Sequence, residues 1–127
     1  MLEITSPKRG VVVVRFEGFA TSDVAESILA AIEDQIAKAG TITAFDDWEL
    51  ATGYDPIVRA KLTDWMSANG SRIRATHVLV KSKVVSMGLS VANMILGSRY
   101  KIVAYSDRRR WQAALDELIA VRETTAG

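Results

Sequence analysis

The sequence predicts an α/β fold: a single layered domain with a mostly parallel five-stranded sheet, one antiparallel edge strand and four helices. Runs rich in β-branched residues alternate with runs whose apolar residues recur at helical spacing, in the order β-β-α-β-α-β-α-β-α. Such alternation is typical of parallel sheets with helices packed on their faces. A length of 127 residues suits one hydrophobic core, so residues 1–127 are expected to form a single domain.

The strands are predicted from short β-rich runs bounded by turn residues. Residues 2–5 and 11–18 form the first two strands, and the short polar turn between them makes the first an antiparallel edge. The third strand ends at Asp46 and Asp47, and a loop is predicted over residues 48–54. The predicted strands cover residues 2–5, 11–18, 41–45, 73–81 and 100–105.

The helices are predicted from capping residues followed by apolar stripes. Asp55 and Pro56 give the clearest start, because Asp caps free N–H groups and Pro at the first helical position loses no hydrogen bond. The predicted helices cover residues 22–39, 56–68 and 83–96, and a last helix from the Ser106-Asp107 cap to about residue 122. The buried face of that last helix is predicted to be Trp111, Ala114, Leu115 and Leu118.

The third predicted helix is apolar around nearly its whole circumference, with small residues between the large ones. A helix of this kind needs cover on every side. Met87, Val91 and Met94 are its candidate residues for self-association or for contact with an apolar ligand. Three kinds of cover are possible: a neighbouring helix of the same fold, a second copy of the protein, or a lipid or other apolar ligand.

Composition excludes several classes of protein. Cysteine is absent, which excludes disulfides, cysteine-based metal sites and a thiol nucleophile. The N-terminal residues lack the pattern of a secretion signal, and the longest apolar run, residues 84–98, is too short to cross a bilayer. We therefore expect a cytoplasmic protein without a transmembrane segment.

Charge is balanced overall but uneven along the chain. The formal net charge is +1. Residues 1–63 carry six Lys/Arg and ten Asp/Glu, and residues 64–127 carry ten and five, so the halves have net charges of −4 and +5. The near-zero total and the lack of a recognition motif argue against nucleic-acid binding. Residues 108–110 are three arginines at a helix start, where they oppose the helix dipole, and the acidic first half is their simplest counter-charge.

Acidic residues cluster in sequence near the end of the third strand, where open parallel sheets tend to bind ligands. The cluster consists of Asp46, Asp47, Glu49 and Asp55. A magnesium ion would need two or more of these oxygens to converge. Capping and solvation explain the acids more simply, so no metal is expected. His77, the only histidine, lies in mid-strand without a partner in the sequence, so it is not expected to act as a general base.

The order of elements and four local patterns resemble those of one known family. The patterns are the strand at residues 11–18 before a helix, Phe45-Asp46-Asp47 at a strand end, the helix after Asp55-Pro56, and Tyr105-Ser106-Asp107 before an amphipathic helix. Together they resemble the STAS domain, the SpoIIAA-like fold of anti-sigma-factor antagonists and of stand-alone bacterial relatives of unassigned function. The resemblance covers nearly the whole chain and implies a regulatory or protein-binding module.

One motif of that family is incomplete in this chain. Regulatory STAS proteins carry Asp-Ser-(Ser/Thr)-Gly after the third strand, and phosphorylation of the serine controls binding to a partner kinase. Residues 50–55 read Leu-Ala-Thr-Gly-Tyr-Asp, so only Thr52 and Gly53 match. The resemblance therefore implies partner binding without carrying over the phosphorylated serine.

The sequence thus predicts a non-enzymatic STAS-like module that binds a protein partner and forms a homodimer through its third helix. The predicted partner-binding residues are Asp47, Trp48, Thr52, Tyr54 and Arg59. The first alternative is a small-molecule or lipid carrier with an apolar pocket between the third helix and the sheet. The second is a magnesium-dependent enzyme that uses the acidic cluster. No catalytic residue and no cofactor are predicted, because no nucleophile motif or phosphate-binding loop is present.

Overall fold

The computed structural model describes residues 1–121, apart from the side chain of Ser98. Nine helices and strands follow one another in the predicted order. They are β1 (Leu2–Thr5), β2 (Val11–Ala20), α1 (Ser22–Ala39), β3 (Ile42–Tyr54), α2 (Pro56–Asn69), β4 (Ile73–Val80), α3 (Lys83–Leu96), β5 (Ile102–Tyr105) and α4 (Arg108–Ala120). Short 3-10 turns at Gly70–Arg72 and Gly97–Arg99 follow α2 and α3.

The five strands form one sheet in the spatial order β1-β2-β3-β4-β5. β1 pairs antiparallel with β2, with Leu2 opposite Phe16 and Thr5 opposite Val13. All other pairs are parallel. The predicted mixed sheet with one antiparallel edge strand is therefore confirmed.

The two faces of the sheet are covered by different helices. One face packs against α1, α2 and α3, through side chains such as Val14, Ala44 and Val78. The other face packs against α4, where Phe45 and Leu79 contact Trp111. Because successive side chains of a strand point to opposite faces, neighbouring residues of β3 belong to different layers.

The predicted loop at residues 48–54 is wrong, because β3 continues to Tyr54. Its second half pairs with the end of β2, with Gly18 opposite Ala51 and Ala20 opposite Tyr54. Two register shifts accompany this extension, and Gly18 in the second shift has a φ of 97°, a conformation that favours glycine. The local composition of residues 48–54 favours a turn. Pairing with β2 makes the segment a strand because it gives hydrogen-bond partners to its backbone N–H and C=O groups.

Most other boundaries agree with the sequence prediction to within two residues. The bounds of α1 and α3 are those predicted, and Asp55 and Asp107 cap α2 and α4 by accepting hydrogen bonds from backbone N–H groups. β2 ends two residues later than predicted and β5 begins two residues later. The predicted buried face of α4 is confirmed, and the predicted end of that helix at residue 122 lies outside the described residues.

Candidate functional site

A cavity of about 150 Å³ lies between the sheet and the layer formed by α1, α2 and α3. Every element around it contributes apolar side chains because these are the inward-facing stripes of the helices and of one sheet face. Representative lining residues are Phe16, Ile28, Leu62, Leu89 and Leu96. An apolar cavity of this size is comparable to cavities that bind a small aromatic ring in other proteins.

Asp46 is one of the residues that line this cavity. Asp46 is only 7% exposed, and burial raises its pKa from 3.8 to about 7. No described residue offsets the burial with a hydrogen bond or an opposite charge, since desolvation is the sole cause of the shift. No side-chain oxygen among the described residues is both fully sealed and without a hydrogen-bond partner, so the unpaired Asp46 carboxyl reaches accessible space, and the cavity that Asp46 lines is on its side of the sheet.

Tyr54, Arg59 and Gly88 also border the cavity. Tyr54 comes from the end of β3 and lies against α3 so closely that a Cβ at Gly88 would overlap its phenol ring. Arg59 is half-buried on α2. Arg59 and the deeply buried Asp46 therefore line the same mostly apolar cavity without forming an ion pair.

On the opposite face of the sheet, Asp47 is the centre of an ion-pair network. It is 2% exposed and accepts hydrogen bonds from Arg108 Nη2 at 2.9 Å and from Arg15 Nε at 3.2 Å. Glu49 joins Arg108 at 3.5 Å and Lys81 at 3.6 Å. The counter-charge predicted for the arginines at the start of the last helix is confirmed for Arg108, which pairs with acids of the first half.

His77 lies in the same layer as Asp47, with its ring stacked on Phe45 at 4.4 Å between centroids. Its Nδ1 lies 2.7 Å from Tyr105 Oη, at hydrogen-bond distance. Burial and then the charge of Lys101 lower the pKa of His77, and burial raises the pKa of Tyr105. Trp111 Nε1 donates to the His77 carbonyl at 3.1 Å. These contacts fix the packing of α4 on the sheet, and they involve no acidic partner of the histidine.

The four acids of the predicted cluster do not converge on one point, although Asp47 and Glu49 both pair with Arg108. Asp46 and Asp47 point to opposite faces of the sheet, and Asp55 caps α2 by accepting from Ile57 N at 3.1 Å. Within residues 1–121, no group of three or more His, Asp or Glu side chains is arranged to hold a metal ion. The magnesium-enzyme alternative therefore has no geometric support in the described part of the chain.

The five predicted partner-binding residues do not share one surface. Trp48, Tyr54 and Arg59 border the cavity, whereas Asp47 is buried beneath α4. Thr52 is exposed on the far end of β3. The role of these five residues in partner binding stays a prediction. Three of them, Trp48, Tyr54 and Arg59, line the cavity.

The sequence analysis named Asp46 as a member of the acidic cluster but left it out of the predicted binding residues. The strand pattern could have identified it. Asp46 lies two residues after Ala44, so the two side chains share the face of β3 that packs in the core. A lone carboxylate at an inward strand position is rare and therefore informative.

Met87, Val91 and Met94 lie on the outer face of α3, away from the cavity. Met87 is 69% exposed and Met94 83% exposed, so cover by a neighbouring helix is wrong for this face. The inner face of α3 contributes Val85, Gly88 and Leu96 to the cavity wall. In the described part of the chain, no helix combines the length and hydropathy needed to cross a membrane.

No protein-family model matches the sequence, and no curated protein is significantly similar to it. Solved structures do match the fold. The anti-sigma factor antagonist SpoIIAA in its unphosphorylated form matches with a TM-score of 0.68 and 15% identity, over 95% of this chain and 100% of that chain. The phosphorylated form of the Bacillus cell fate determinant SpoIIAA gives 0.65 and 18%, over 93% and 99%.

A third match is an uncharacterized protein of the DUF3478 family from Shewanella loihica PV-4, described as having a SpoIIAA-like fold. It gives a TM-score of 0.65 and 15% identity, over 91% of this chain and 92% of that chain. Identities this low support a statement about fold alone. The chain has the SpoIIAA-like fold of STAS domains.

Proposed function

We propose that this chain is a non-enzymatic STAS-fold module that binds a small amphipathic molecule in the cavity beside Asp46. The observation that carries the proposal is the unpaired carboxyl of Asp46 in a cavity lined mostly by apolar side chains. An unpaired buried polar group costs free energy, and a ligand that supplies its missing partner recovers that cost. Few polar groups in a mostly apolar pocket are typical of small-molecule sites.

The state of Asp46 limits the head group of the ligand. With a pKa of about 7, the carboxyl is partly protonated at neutral pH, so it can donate to a ligand oxygen or accept from a ligand ammonium. A ligand whose carboxylate lies beside Asp46 would meet a second negative charge in a mostly apolar surrounding and is disfavoured. The proposed ligand class is therefore a compact hydrocarbon or aromatic body with one amine or hydroxyl group.

Three probes with one ring and different head groups test this class: benzylamine, benzyl alcohol and benzoate. We expect calorimetry or ligand-observed NMR to show binding of the amine and the alcohol, and weaker binding of the acid. Asp46→Leu should weaken binding of the amine about tenfold or more, because the charge partner is lost. Equal binding of all three probes would contradict the role of Asp46.

A matched pair of substitutions tests the cavity itself. Ala92 lines the cavity on α3, so Ala92→Phe should fill it and abolish binding of the amine and the alcohol. Ala113 is exposed on α4, so Ala113→Phe makes the same chemical change outside the cavity and should leave binding intact. Circular dichroism of both variants shows that they are folded. Native mass spectrometry of freshly purified protein would add direct detection of a co-purified ligand.

A second candidate function is binding of a protein partner, as the sequence-based prediction proposed. The observation that favours it is the projecting end of the sheet, where β2 and β3 extend past the last pair that β3 makes with β4, Trp48 with Val80. Phe19 and Leu50 on this extension are exposed. An exposed strand edge with apolar side chains is a common site for addition of a partner strand.

The test of this candidate is a double substitution, Phe19→Ser with Leu50→Ser, in a pull-down from the native source. Partners identified with the wild-type chain should be lost from the double variant and kept by Ile119→Ser, an exposed position on α4. Partners unchanged by the double variant would exclude the strand extension as the binding surface.

A further inference from the structure

We infer that the outer face of α3 docks on an anionic lipid bilayer surface. This inference rests on the proposed function, because the inner face of the same helix forms one wall of the cavity. A helix that contacts the bilayer on one side and the cavity on the other provides a route for an apolar ligand between the two.

The first observation is an unbroken apolar stripe on the exposed side of α3. Its members recur at helical spacing and are all exposed: Val84, Met87, Val91, Met94 and Ile95. The exposed polar residues of the helix, Ser86, Ser90 and Asn93, lie on a separate flank. Isolated exposed apolar residues are ordinary, whereas a contiguous stripe on one helix marks an interaction surface.

The second observation is the sign of the charge in the chain segment that contains this helix, where Lys81 is the one cation with an ion-pair partner among the described residues, Glu49. No Asp or Glu occurs between Asp64 and Asp107, whereas six Lys or Arg residues do: Arg72, Arg74, Lys81, Lys83, Arg99 and Lys101. Lys83 and Arg99 are exposed at the two ends of α3. Apolar side chains flanked by cations match an anionic bilayer, where head groups attract the cations and the acyl region accepts the apolar groups.

The geometry fits a helix that lies in the plane of the bilayer surface. α3 has 14 residues, about 21 Å at the rise of an α-helix, which is too short to cross the roughly 30 Å hydrocarbon core. Its exposed stripe is parallel to the helix axis and can enter the interface along its whole length.

Charge argues for a lipid surface over a second copy of the chain. In a twofold interface the same patch faces itself, so Lys83 and Arg99 of both copies would be brought together. No acidic residue of this part of the sequence is available to separate them. An anionic bilayer removes that repulsion because its charge has the opposite sign.

The test measures co-flotation of the full chain with phosphatidylcholine vesicles that contain or lack phosphatidylserine. We expect flotation that depends on phosphatidylserine and falls as salt increases. The double variant Met87→Glu with Met94→Glu should lose at least about tenfold in vesicle affinity. The matched control Ile119→Glu, exposed on α4, should bind as the wild type does.

The failure of docking can be distinguished from the failure of ligand binding. Met87→Glu with Met94→Glu should still bind benzylamine in solution, because neither residue lines the cavity. Asp46→Leu should still float with vesicles. Wild-type protein that ignores vesicles of both compositions would overturn the inference. So would a stable dimer in sedimentation velocity that the methionine substitutions dissociate, since α3 would then be covered by a second copy.

Discussion

Asp46 and Asp47 are consecutive residues of β3 that are both buried and lie on opposite faces of the sheet. Asp46 borders the apolar cavity beneath α1–α3 without a partner. Asp47 lies on the α4 side between Arg15 and Arg108. Because successive side chains of a strand point to opposite faces, the two adjacent carboxyl groups have opposite effects on stability. The unpaired Asp46 destabilises the fold, and the paired Asp47 stabilises it.

Replacement of Asp46 by Asn should make the protein more stable at neutral and higher pH. The wild-type pKa of Asp46 is about 7 in the fold against 3.8 as the ordinary value, so the folded state binds the proton more tightly than the unfolded state does. The free energy of unfolding therefore falls as pH rises from about 4 to 7 and is level above 7. The total loss is about 4 kcal/mol, as an upper estimate from the linkage relation.

The measurement is urea denaturation of wild type and Asp46→Asn at intervals from pH 4.5 to pH 8. The difference in the free energy of unfolding should grow in favour of the variant up to about pH 7 and stay constant above it. A difference that is independent of pH would show that Asp46 titrates normally in the fold.

Replacement of Asp47 by Ala should destabilise the protein by about 1–3 kcal/mol at pH 7, because Arg108 and Arg15 lose their common partner. The loss is smaller than for a fully buried pair because the side chains of Arg108 and Arg15 are 40% and 50% exposed. Thermal denaturation measures this loss of stability. In a double-mutant cycle, the losses caused by Asp47→Ala and Arg108→Ala should be non-additive. Additive losses would mean that Asp47 acts through packing alone.

Replacement of Gly88 by Ala should destabilise the protein by about 1–3 kcal/mol, although alanine is normally the better helix former. The added Cβ would overlap the phenol ring of Tyr54. A Tyr54→Ala background removes that ring, so Gly88→Ala should there be neutral or stabilising in chemical denaturation. The same loss in both backgrounds would place the strain elsewhere.

The single histidine offers a direct titration. Burial and the charge of Lys101 lower the pKa of His77 below 6.5, so its NMR titration midpoint should lie below that value. The folded state then binds this proton less tightly than the unfolded state, and the corresponding stability is lost as pH falls below 6.5. Lys101→Met should move the midpoint upward, and a midpoint unaffected by this variant would contradict the role of that charge.

The order of elements was predictable because each element carries a local signal. Asp55-Pro56 and Asp107 are caps whose hydrogen bonds the structure contains, and the apolar spacing of Trp111 and Leu115 matches the face of α4 that contacts the sheet. The second half of β3 carries no such signal. Its strand structure comes from pairing with β2, a partner about 30 residues distant in sequence, so no local window could reveal it.

The candidate site divides in the same way. Residue spacing alone indicated that α3 is apolar around nearly its whole circumference. The sequence also restricted the candidate carboxylates to Asp46, Asp47, Glu49 and Asp55, near the predicted end of the third strand. Sequence spacing could not show that Asp46 borders a cavity while Asp47 is neutralised by arginines from β2 and α4, because both environments are assembled from distant segments.

The sequence by itself determined the alternation of strands and helices and the absence of cysteine, because periodicity and composition are local properties of a chain. Only the tertiary structure decided which side of α3 is covered, which carboxyl lacks a partner and where the cavity lies. Those features depend on which faces of the helices and the sheet contact each other. These contacts determine which side chains are buried, which charges form pairs and where a cavity is left.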